Sequence, residues 1–181
     1  MTPQTGEGPA GRTGGATRVI AIGSEAVVAD TIPALTFLAS VEVVVGPPID
    51  AGPTPEGRRR IIPILGGTVT GPELTGSVLP AGADFQVLRS ETLTELRAQY
   101  AIETDDGDRI YVENFGLRSG TAADIAALVR GEPVPPDRIY FRCTPRMSTT
   151  SARWTWLTER IIIGTGVRHP GTVRLDLYVV D

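Results

Sequence analysis

We predict a mainly β protein, a single antiparallel barrel of about 8–10 short strands with one short helix. Short runs in which apolar and polar residues alternate recur along most of the chain. An Asp-Gly step in the segment Asp105-Asp106-Gly107 separates two such runs, which is a strong hairpin signal. A closed barrel is favoured over an open sheet, because closure removes the strand edges that so many short strands would expose.

The chain of 181 residues is long enough for one domain with a substantial hydrophobic core. The first residues are rich in Gly, Thr and Pro, which indicates a partly disordered N-terminal extension over residues 1–32. Within it, short apolar pieces between residues 18 and 31 are compatible with an extra strand or a short helix. The barrel domain is expected over residues 33–181.

Strand-like segments follow one another through this domain. Residues 47–57 are rich in proline and are expected to form a loop. Pro63 lies inside a strand-like run, which indicates an edge position or a bulge. The last two segments are expected to form a hairpin around His169-Pro170-Gly171. The predicted strands span residues 35–45, 59–69, 74–79, 84–89, 95–104, 109–115, 138–144, 160–167 and 173–180.

The helix is predicted over residues 121–130. Thr121 is a suitable N-cap, and Asp124 three residues later completes a variant of the capping box. Gly131 is a natural stop, and three prolines soon after it forbid continuation. One face of the helix is apolar and carries Ile125, Leu128 and Val129.

Composition excludes several classes of function. All 17 basic residues are Arg, so neither a Schiff base nor a lysine general base is available. A net charge of −4 argues against a nucleic-acid surface. No apolar run is long enough to span a membrane, and no secretory signal opens the chain, so a cytoplasmic location is expected. Cys143 and His169 are each single, which removes an internal disulfide, a cysteine metal cluster and a catalytic triad. We expect no cofactor and no metal.

Asp84 and Gln86 lie on one face at the start of a predicted strand. In a pocket, Asp84 would act as general acid or base, and Gln86 would orient a substrate oxygen. The alternative is that Asp84 caps the preceding turn.

Two later strands carry polar stripes. Tyr111 and Glu113 share a face, which would either enter a cavity or form a solvated outer surface. Tyr140 and Arg142 form the second stripe. An interior Arg142 needs a carboxylate partner or an anionic ligand; facing outward, it is a surface charge. We expect it to pair with only one of Asp84 and Glu113, leaving the other free to transfer protons.

Two aromatic residues complete the set of substrate-binding candidates. Tyr100 has the same two interpretations as the stripes, a cavity residue or a surface residue. Trp156 is either a packing residue or a platform for a ligand.

A set of motifs is spread over roughly residues 34–181. The motifs are Gly46-Pro-Pro-Ile-Asp, Gly57-Arg-Arg-Arg-Ile-Ile-Pro-Ile, Gly66-Gly-Thr-Val-Thr-Gly, Leu79-Pro-Ala-Gly-Ala-Asp, Tyr100, Thr104-Asp-Asp-Gly, Asn114-Phe-Gly, Tyr140-Phe-Arg-Cys-Thr-Pro and Trp156-Leu. In these motifs the chain resembles a family of uncharacterised bacterial and fungal proteins, the domain of unknown function 3237, or UPF0311. It departs from the family at Phe85 and Cys143, where Trp and Thr are expected.

This resemblance implies a lipocalin-like barrel that is often oligomeric. Some members in natural-product pathways resemble cofactor-free cyclases, which direct the addition of a hydroxyl group to a double bond. The leading hypothesis is therefore a cofactor-independent cyclase or isomerase acting on a small apolar or aromatic metabolite, with Asp84, Glu113 and Arg142 as catalytic candidates. The alternatives are a lipocalin-like binding protein without chemistry, and a structural oligomer with a filled core.

Overall fold

The structure is a computed structural model, and it describes residues 32–181. The strand or helix considered for residues 18–31 and the disorder expected in the extension lie outside the described residues. Residues 33–181 form one compact unit. The description below concerns that unit.

Ten antiparallel strands, one α-helix and two 3-10 helices make up the fold. The helices are α1 (Ala122–Val129) and the 3-10 segments Pro136–Arg138 and Thr155–Glu159. The strands are β1 (Leu35–Val45), β2 (Ile49–Thr54), β3 (Gly57–Thr70), β4 (Gly76–Val78), β5 (Ala83–Leu88), β6 (Leu93–Thr104), β7 (Arg109–Ser119), β8 (Tyr140–Ser148), β9 (Ile162–His169) and β10 (Thr172–Val180).

The sheet closes on itself as an eight-position antiparallel barrel. Neighbours run β1, β10, β9, β8, β7, β6, and the circle closes because β3 pairs with β1 on one side and with β4 and β5 on the other. Two places around the barrel are each filled by two short strands in line. On one side of β3 these are β1 and β2, and on the other side they are β4 and β5, so that ten strands form an eight-membered circle. The predicted barrel with one short helix is confirmed.

The long strand β3 explains two differences from the predicted elements. Its first half pairs with β2, so residues 49–54 of the expected proline-rich loop are in fact a strand. Its second half pairs with β1. Pro63 lies where the partner changes from β2 to β1, next to a register shift between Val44 and Val45, so it removes no ladder hydrogen bond.

Side chains alternate between the barrel interior and the outside along most strands. In β7 the even-numbered residues from Ile110 to Arg118 are buried, and the odd-numbered residues from Arg109 to Leu117 are exposed. In β8 the phase is opposite, with Phe141 and Cys143 inside. This alternation decides which of the candidate residues share a cavity.

The two ends of the barrel differ. One end is filled by the 3-10 helix Thr155–Glu159, which packs against β8 and buries Trp154 and Leu157 in the core. At the other end lies α1, whose predicted cap is confirmed: Thr121 Oγ1 accepts a hydrogen bond from the Asp124 backbone N–H at 3.2 Å. The interior is packed near the first end and contains cavities toward the α1 end. Among the described helices, none is long and apolar enough to cross a membrane.

Candidate functional site

Asp84 and Gln86 face the barrel interior from β5. Asp84 is opposite Ile62 of β3 and Ala98 of β6, and Gln86 is opposite Arg60 of β3. Both side chains line one cavity inside the barrel. The structure therefore brings these two sequence candidates together on the inner face.

The Asp84 carboxylate is held by two hydrogen bonds. Gln86 Nε2 donates to its Oδ2 at 2.7 Å, and the backbone N–H of Arg97 donates to its Oδ1 at 2.9 Å. Between the paired residues Asp84–Ala98 and Val87–Glu95 the ladder of β5 and β6 is interrupted, so that the carboxylate takes a backbone donor of β6. Asp84 thus has a fixed orientation toward the interior.

Burial raises the pKa of the Asp84 carboxyl above its ordinary value of 3.8. The hydrogen bond from Gln86 opposes this shift most, followed by the charge of Arg118 and the backbone bond from Arg97. A carboxyl whose pKa is moved toward neutrality by its surroundings is suited to both accept and return a proton.

Three further uncharged polar side chains, Tyr100, Asn114 and Cys143, line the same cavity, together with Arg118. The Tyr100 hydroxyl and Asn114 Oδ1 are buried and have no hydrogen-bond partner among residues 32–181. Burial raises the pKa of Tyr100 and raises that of Cys143 to about 11, with the Asn114 hydrogen bond opposing the second shift. Both groups are therefore neutral near pH 7, and they offer hydrogen bonds without charge.

The cavity is small and mostly apolar. Its volume is about 50 Å³, whereas pockets for drug-sized ligands measure roughly 300–1,000 Å³. Gly116 lies among its lining residues, and a Cβ there would come within 3.3 Å of the Cys143 Cβ. The room beside Asp84 therefore suits the reacting end of a compact molecule.

A second cavity of about 90 Å³ lies at the α1 end of the barrel, and we call it the mouth. Three arginines reach it from three strands: Arg60 from β3, Arg118 from β7 and Arg168 from β9. A fourth, Arg130, follows α1 and is paired with Glu132 at 2.7 Å. Gln86 and Arg118 line both cavities, so the mouth and the interior cavity meet at these two residues. The residues Leu128 to Gly131 at the end of α1 cover the mouth.

Two of these arginines are unusually buried for charged residues, whereas Arg168 is half-buried. Arg118 is 4% exposed and Arg60 is 9% exposed. Burial lowers the pKa of Arg118 to about 10, lowers that of Arg60 and lowers that of Arg168. Arg118 still carries its charge near neutral pH. The negative charge of Asp84 opposes all three shifts.

The structure separates Glu113 and Arg142 from Asp84. Both lie on exposed positions of the outer face, out of phase with the buried residues of their strands. The Arg142 guanidinium donates to the Phe141 carbonyl oxygen at 2.8 Å and stacks over the Tyr140 ring at 5.1 Å. The expected ion pair of Arg142 with Asp84 or Glu113 is therefore wrong. Asp84 lies on the inner face, and on the outer face Glu113 is opposite Arg146, whereas Arg142 is opposite Leu117.

The aromatic candidates divide in the same way. Tyr100 is buried in the interior, whereas Tyr111 and Tyr140 are 44% and 53% exposed on the outer face. Trp156 lies in the 3-10 helix at the filled end and packs against the core. It is therefore at the opposite end of the barrel from the mouth.

Sequence reasoning missed the three mouth arginines, although the sequence contains a signal for one of them. In β7, Arg118 has the same parity as the aliphatic Ile110 and Val112, which mark the inner face. Of the two interpretations of the face with Tyr111 and Glu113, a cavity wall or a solvated outer surface, the structure shows the outer surface. Arg60 and Arg168 come close to each other only because the sheet closes into a barrel. The sequence around each residue does not indicate this long-range closure.

Metal binding has no support from the described residues, which contain no group of three or more His, Cys, Asp or Glu side chains placed to hold an ion. The departures from the family at Phe85 and Cys143 have different consequences. Phe85 is 42% exposed and faces outward, whereas Cys143 lines the interior cavity. The Cys143 difference is therefore the one that shapes the cavity.

Comparison with known proteins identifies the family. A family model described as a protein of unknown function, DUF3237, matches residues 33–180. The chain belongs to this family. A UPF0311 protein of Rhodopseudomonas palustris is 45% identical over 144 residues, which is 80% of this chain and 94% of the relative. One from Bradyrhizobium diazoefficiens is 46% identical with the same coverage.

Solved structures agree with the fold. A conserved protein of unknown function from R. palustris superposes with a TM-score of 0.79 at 42% identity, covering 84% of this chain and 100% of that one. A β-barrel-like protein from Acinetobacter baumannii has a TM-score of 0.74 at 35% identity, covering 84% and 99%. An enzyme from Penicillium herquei has a TM-score of 0.64 at 20% identity, covering 86% and 100%. The last likeness concerns the fold alone.

Proposed function

We propose that this DUF3237 protein is a cofactor-independent cyclase or isomerase of small molecules, with Asp84 as its acid–base group. The observation that carries the proposal is the position of Asp84. It is a carboxylate fixed by Gln86 and the Arg97 backbone, facing a cavity, with a pKa that burial raises. Positioned carboxyls with pKa values moved toward neutrality are typical of proton-transfer sites.

Arg118 is the second element of the proposed chemistry. It lines the same cavity as Asp84, is buried, and carries a charge that couples to the Asp84 carboxylate. A buried guanidinium next to an apolar cavity stabilises negative charge that develops on an oxygen during reaction. Tyr100 and Gln86 supply neutral hydrogen bonds beside it.

An intramolecular addition of a hydroxyl to an enone illustrates the balance of such a reaction. The hydroxyl oxygen forms a bond to the β-carbon while its proton passes to the Asp84 carboxylate. The electron pair of the alkene forms a double bond between the α-carbon and the carbonyl carbon, the π pair of the carbonyl moves to its oxygen, and Arg118 stabilises the resulting enolate oxygen. Asp84 then returns the proton to the α-carbon, so the product is an isomer of the substrate and no oxidant or reductant is needed.

The substrate is proposed to be a small molecule with an apolar or aromatic body. The apolar lining of the interior cavity supports an apolar body, and the cavity volume of about 50 Å³ supports a compact reacting end. A rigid apolar cavity with few polar groups favours one reactive conformation of a flexible chain. The likeness of the fold to a Penicillium herquei enzyme is consistent with catalysis on this barrel.

The test is a panel of small hydroxy-enones, with and without a carboxylate, incubated with the protein in D₂O and followed by proton NMR. Cyclised or isomerised product with deuterium at the α-carbon is expected, and the Asp84→Asn variant should not form it. If no panel member reacts faster than in buffer, and a ligand extracted from purified protein is chemically unchanged by it, the chain is instead a lipocalin-like binding protein.

The protein is also proposed to be a homo-oligomer. Its outer face carries a groove of about 600 Å³ between β7, β8, β9, β10 and β1. Exposed apolar surfaces of this kind are typical of interfaces between protein chains, and a second copy would cover them. Light scattering coupled to size exclusion tests this, with a monomeric mass as the contrary result. Apolar and aromatic lining residues include Leu35, Phe115, Leu117, Tyr140, Ile163 and Tyr178.

A further inference from the structure

We propose that the mouth of the barrel binds the carboxylate of a small ligand, whose apolar body extends into the interior cavity beside Asp84. The inference rests on the proposed function in so far as that ligand is a substrate. The binding of the anion itself depends on the mouth arginines and needs no turnover.

The first observation is that three arginines converge on the mouth. Arg60, Arg118 and Arg168 come from β3, β7 and β9 and meet around one cavity of about 90 Å³. Their positive charges repel one another: Arg60 and Arg168 both lower the pKa of Arg118, and Arg60 lowers that of Arg168. Like charges brought together in a buried place destabilise a fold unless an anion compensates them.

The second observation concerns the partners of these arginines. Arg168 Nη1 donates hydrogen bonds to the backbone carbonyl oxygens of His169 and Thr172, whereas Arg118 is less well satisfied. Arg118 Nε is buried and has no hydrogen-bond partner within residues 32–181. No described carboxylate lies within 4.0 Å of the guanidinium nitrogens of Arg60, Arg118 or Arg168, in contrast to Arg138, which pairs with Asp124 at 2.6 Å. A buried guanidinium usually has such a partner. Asp84 acts on the cluster from a greater distance.

The surroundings of Arg118 indicate what the anion is attached to. Gln86 and Arg118 line both the mouth and the interior cavity, so a group bound to Arg118 points its remaining atoms toward Tyr100 and Leu96. A planar carboxylate matches the two parallel donors of a guanidinium. Since the interior cavity is about 50 Å³ and mostly apolar, a short unsaturated or branched carbon chain fits there.

The probe for this site is crotonate, a four-carbon unsaturated carboxylate, titrated by calorimetry and by ligand-observed NMR. Crotonamide is the neutral compound of the same shape, and inorganic phosphate is an anion without an apolar body. We expect saturable binding of crotonate, at least about tenfold tighter than crotonamide. Phosphate is expected to bind more weakly than crotonate, because it leaves the interior cavity unfilled.

Arg118→Met should weaken crotonate binding by at least about tenfold. Arg118→Lys should restore part of the binding, because the lysine ammonium restores the positive charge but not the two parallel N–H donors of the guanidinium. Arg146→Met is the matched control, because Arg146 is an exposed arginine on the outer face of β8. If Arg118→Met does not fold, Arg60→Gln and Arg168→Gln at the rim of the mouth replace it, and each should also weaken binding.

Asp84→Asn separates this inference from the proposed function. It should abolish turnover but leave crotonate binding intact or tighter, because a negative charge near the mouth is removed. Equal affinity for crotonate and crotonamide, crotonate binding unchanged by the mouth variants, or tighter binding of phosphate than of crotonate would each overturn the carboxylate site, whatever the outcome of the activity assay.

Discussion

Gln86 holds Asp84 inside the barrel: its Nε2 donates a 2.7 Å hydrogen bond to Asp84 Oδ2. The two residues are two apart on β5, so the strand pleat directs both to the same cavity. This bond lowers the pKa of Asp84, while burial raises it more strongly. Gln86 therefore both orients the carboxylate and limits how far its pKa rises.

Gln86→Met should move the acidic limb of the pH–rate profile to higher pH. The substitution keeps the length of the side chain but removes the bond that favours the ionised form of Asp84, so its pKa rises further. A shift of about one pH unit in kcat/KM is expected. The contrary result is a profile whose acidic limb is unmoved or lies at lower pH.

Asp84→Asn should lower kcat by about 10²–10⁴-fold while the protein stays folded. In the wild type the rate should rise with pH through a pKa above 3.8, because only the ionised carboxyl accepts a proton. Glu113→Gln serves as the matched carboxylate control, since Glu113 is exposed on the outer face. A loss in the Glu113 variant as large as in the Asp84 variant would contradict the assignment.

Arg118 and Asp84 should show coupled effects on stability. Removing either charge alone relieves its own burial cost but leaves the other charge buried without its compensation. The double variant Arg118→Met/Asp84→Asn should therefore be more stable than the sum of the two single effects predicts, by about 0.5–3 kcal/mol. Chemical denaturation of the four proteins measures this. Strict additivity would mean that the two charges do not interact across the cavity.

Cys143 should be unreactive in the native protein. It is 3% exposed, and burial raises its pKa to about 11. At about pH 8 the thiolate fraction is then on the order of one in a thousand. A disulfide reagent such as Ellman's reagent should therefore modify it at the rate of unfolding, and rapidly in denaturant. Fast labelling in native buffer would show that the interior cavity opens to reagents.

Thr121→Ala should destabilise α1 by about 0.5–2 kcal/mol, because Thr121 caps its first turn. Since α1 ends over the mouth, the same substitution should weaken crotonate binding modestly, in proportion to the loss of helix. Thr121→Ser keeps the hydroxyl and is the matched control. Thermal unfolding with and without crotonate measures both effects, and a Tm of Thr121→Ala equal to that of Thr121→Ser would contradict the capping role.

The fold was largely predictable, because its signals are local. Alternation along β7, the turn at Asp106-Gly107 and the cap at Thr121 each depend on a few neighbouring residues. Pairing Asp84 with Gln86 also needed nothing beyond the pleat of one strand. The strand β2 differs from the predicted loop, because Gly52 and Pro53 obscure a pairing that β3 imposes from outside.

The sequence by itself determined the alternation, the turns and the helix cap, and it placed Asp84 beside Gln86. Only the closed barrel decided which face of each strand lies inside, and so placed Glu113 and Arg142 on the outer surface. It also brought Arg60, Arg118 and Arg168 from distant strands to one mouth. The physical reason is that a strand such as β7 carries apolar residues on both faces, Ile110 and Val112 inside and Phe115 and Leu117 outside, so that only burial in the finished barrel selects between the faces.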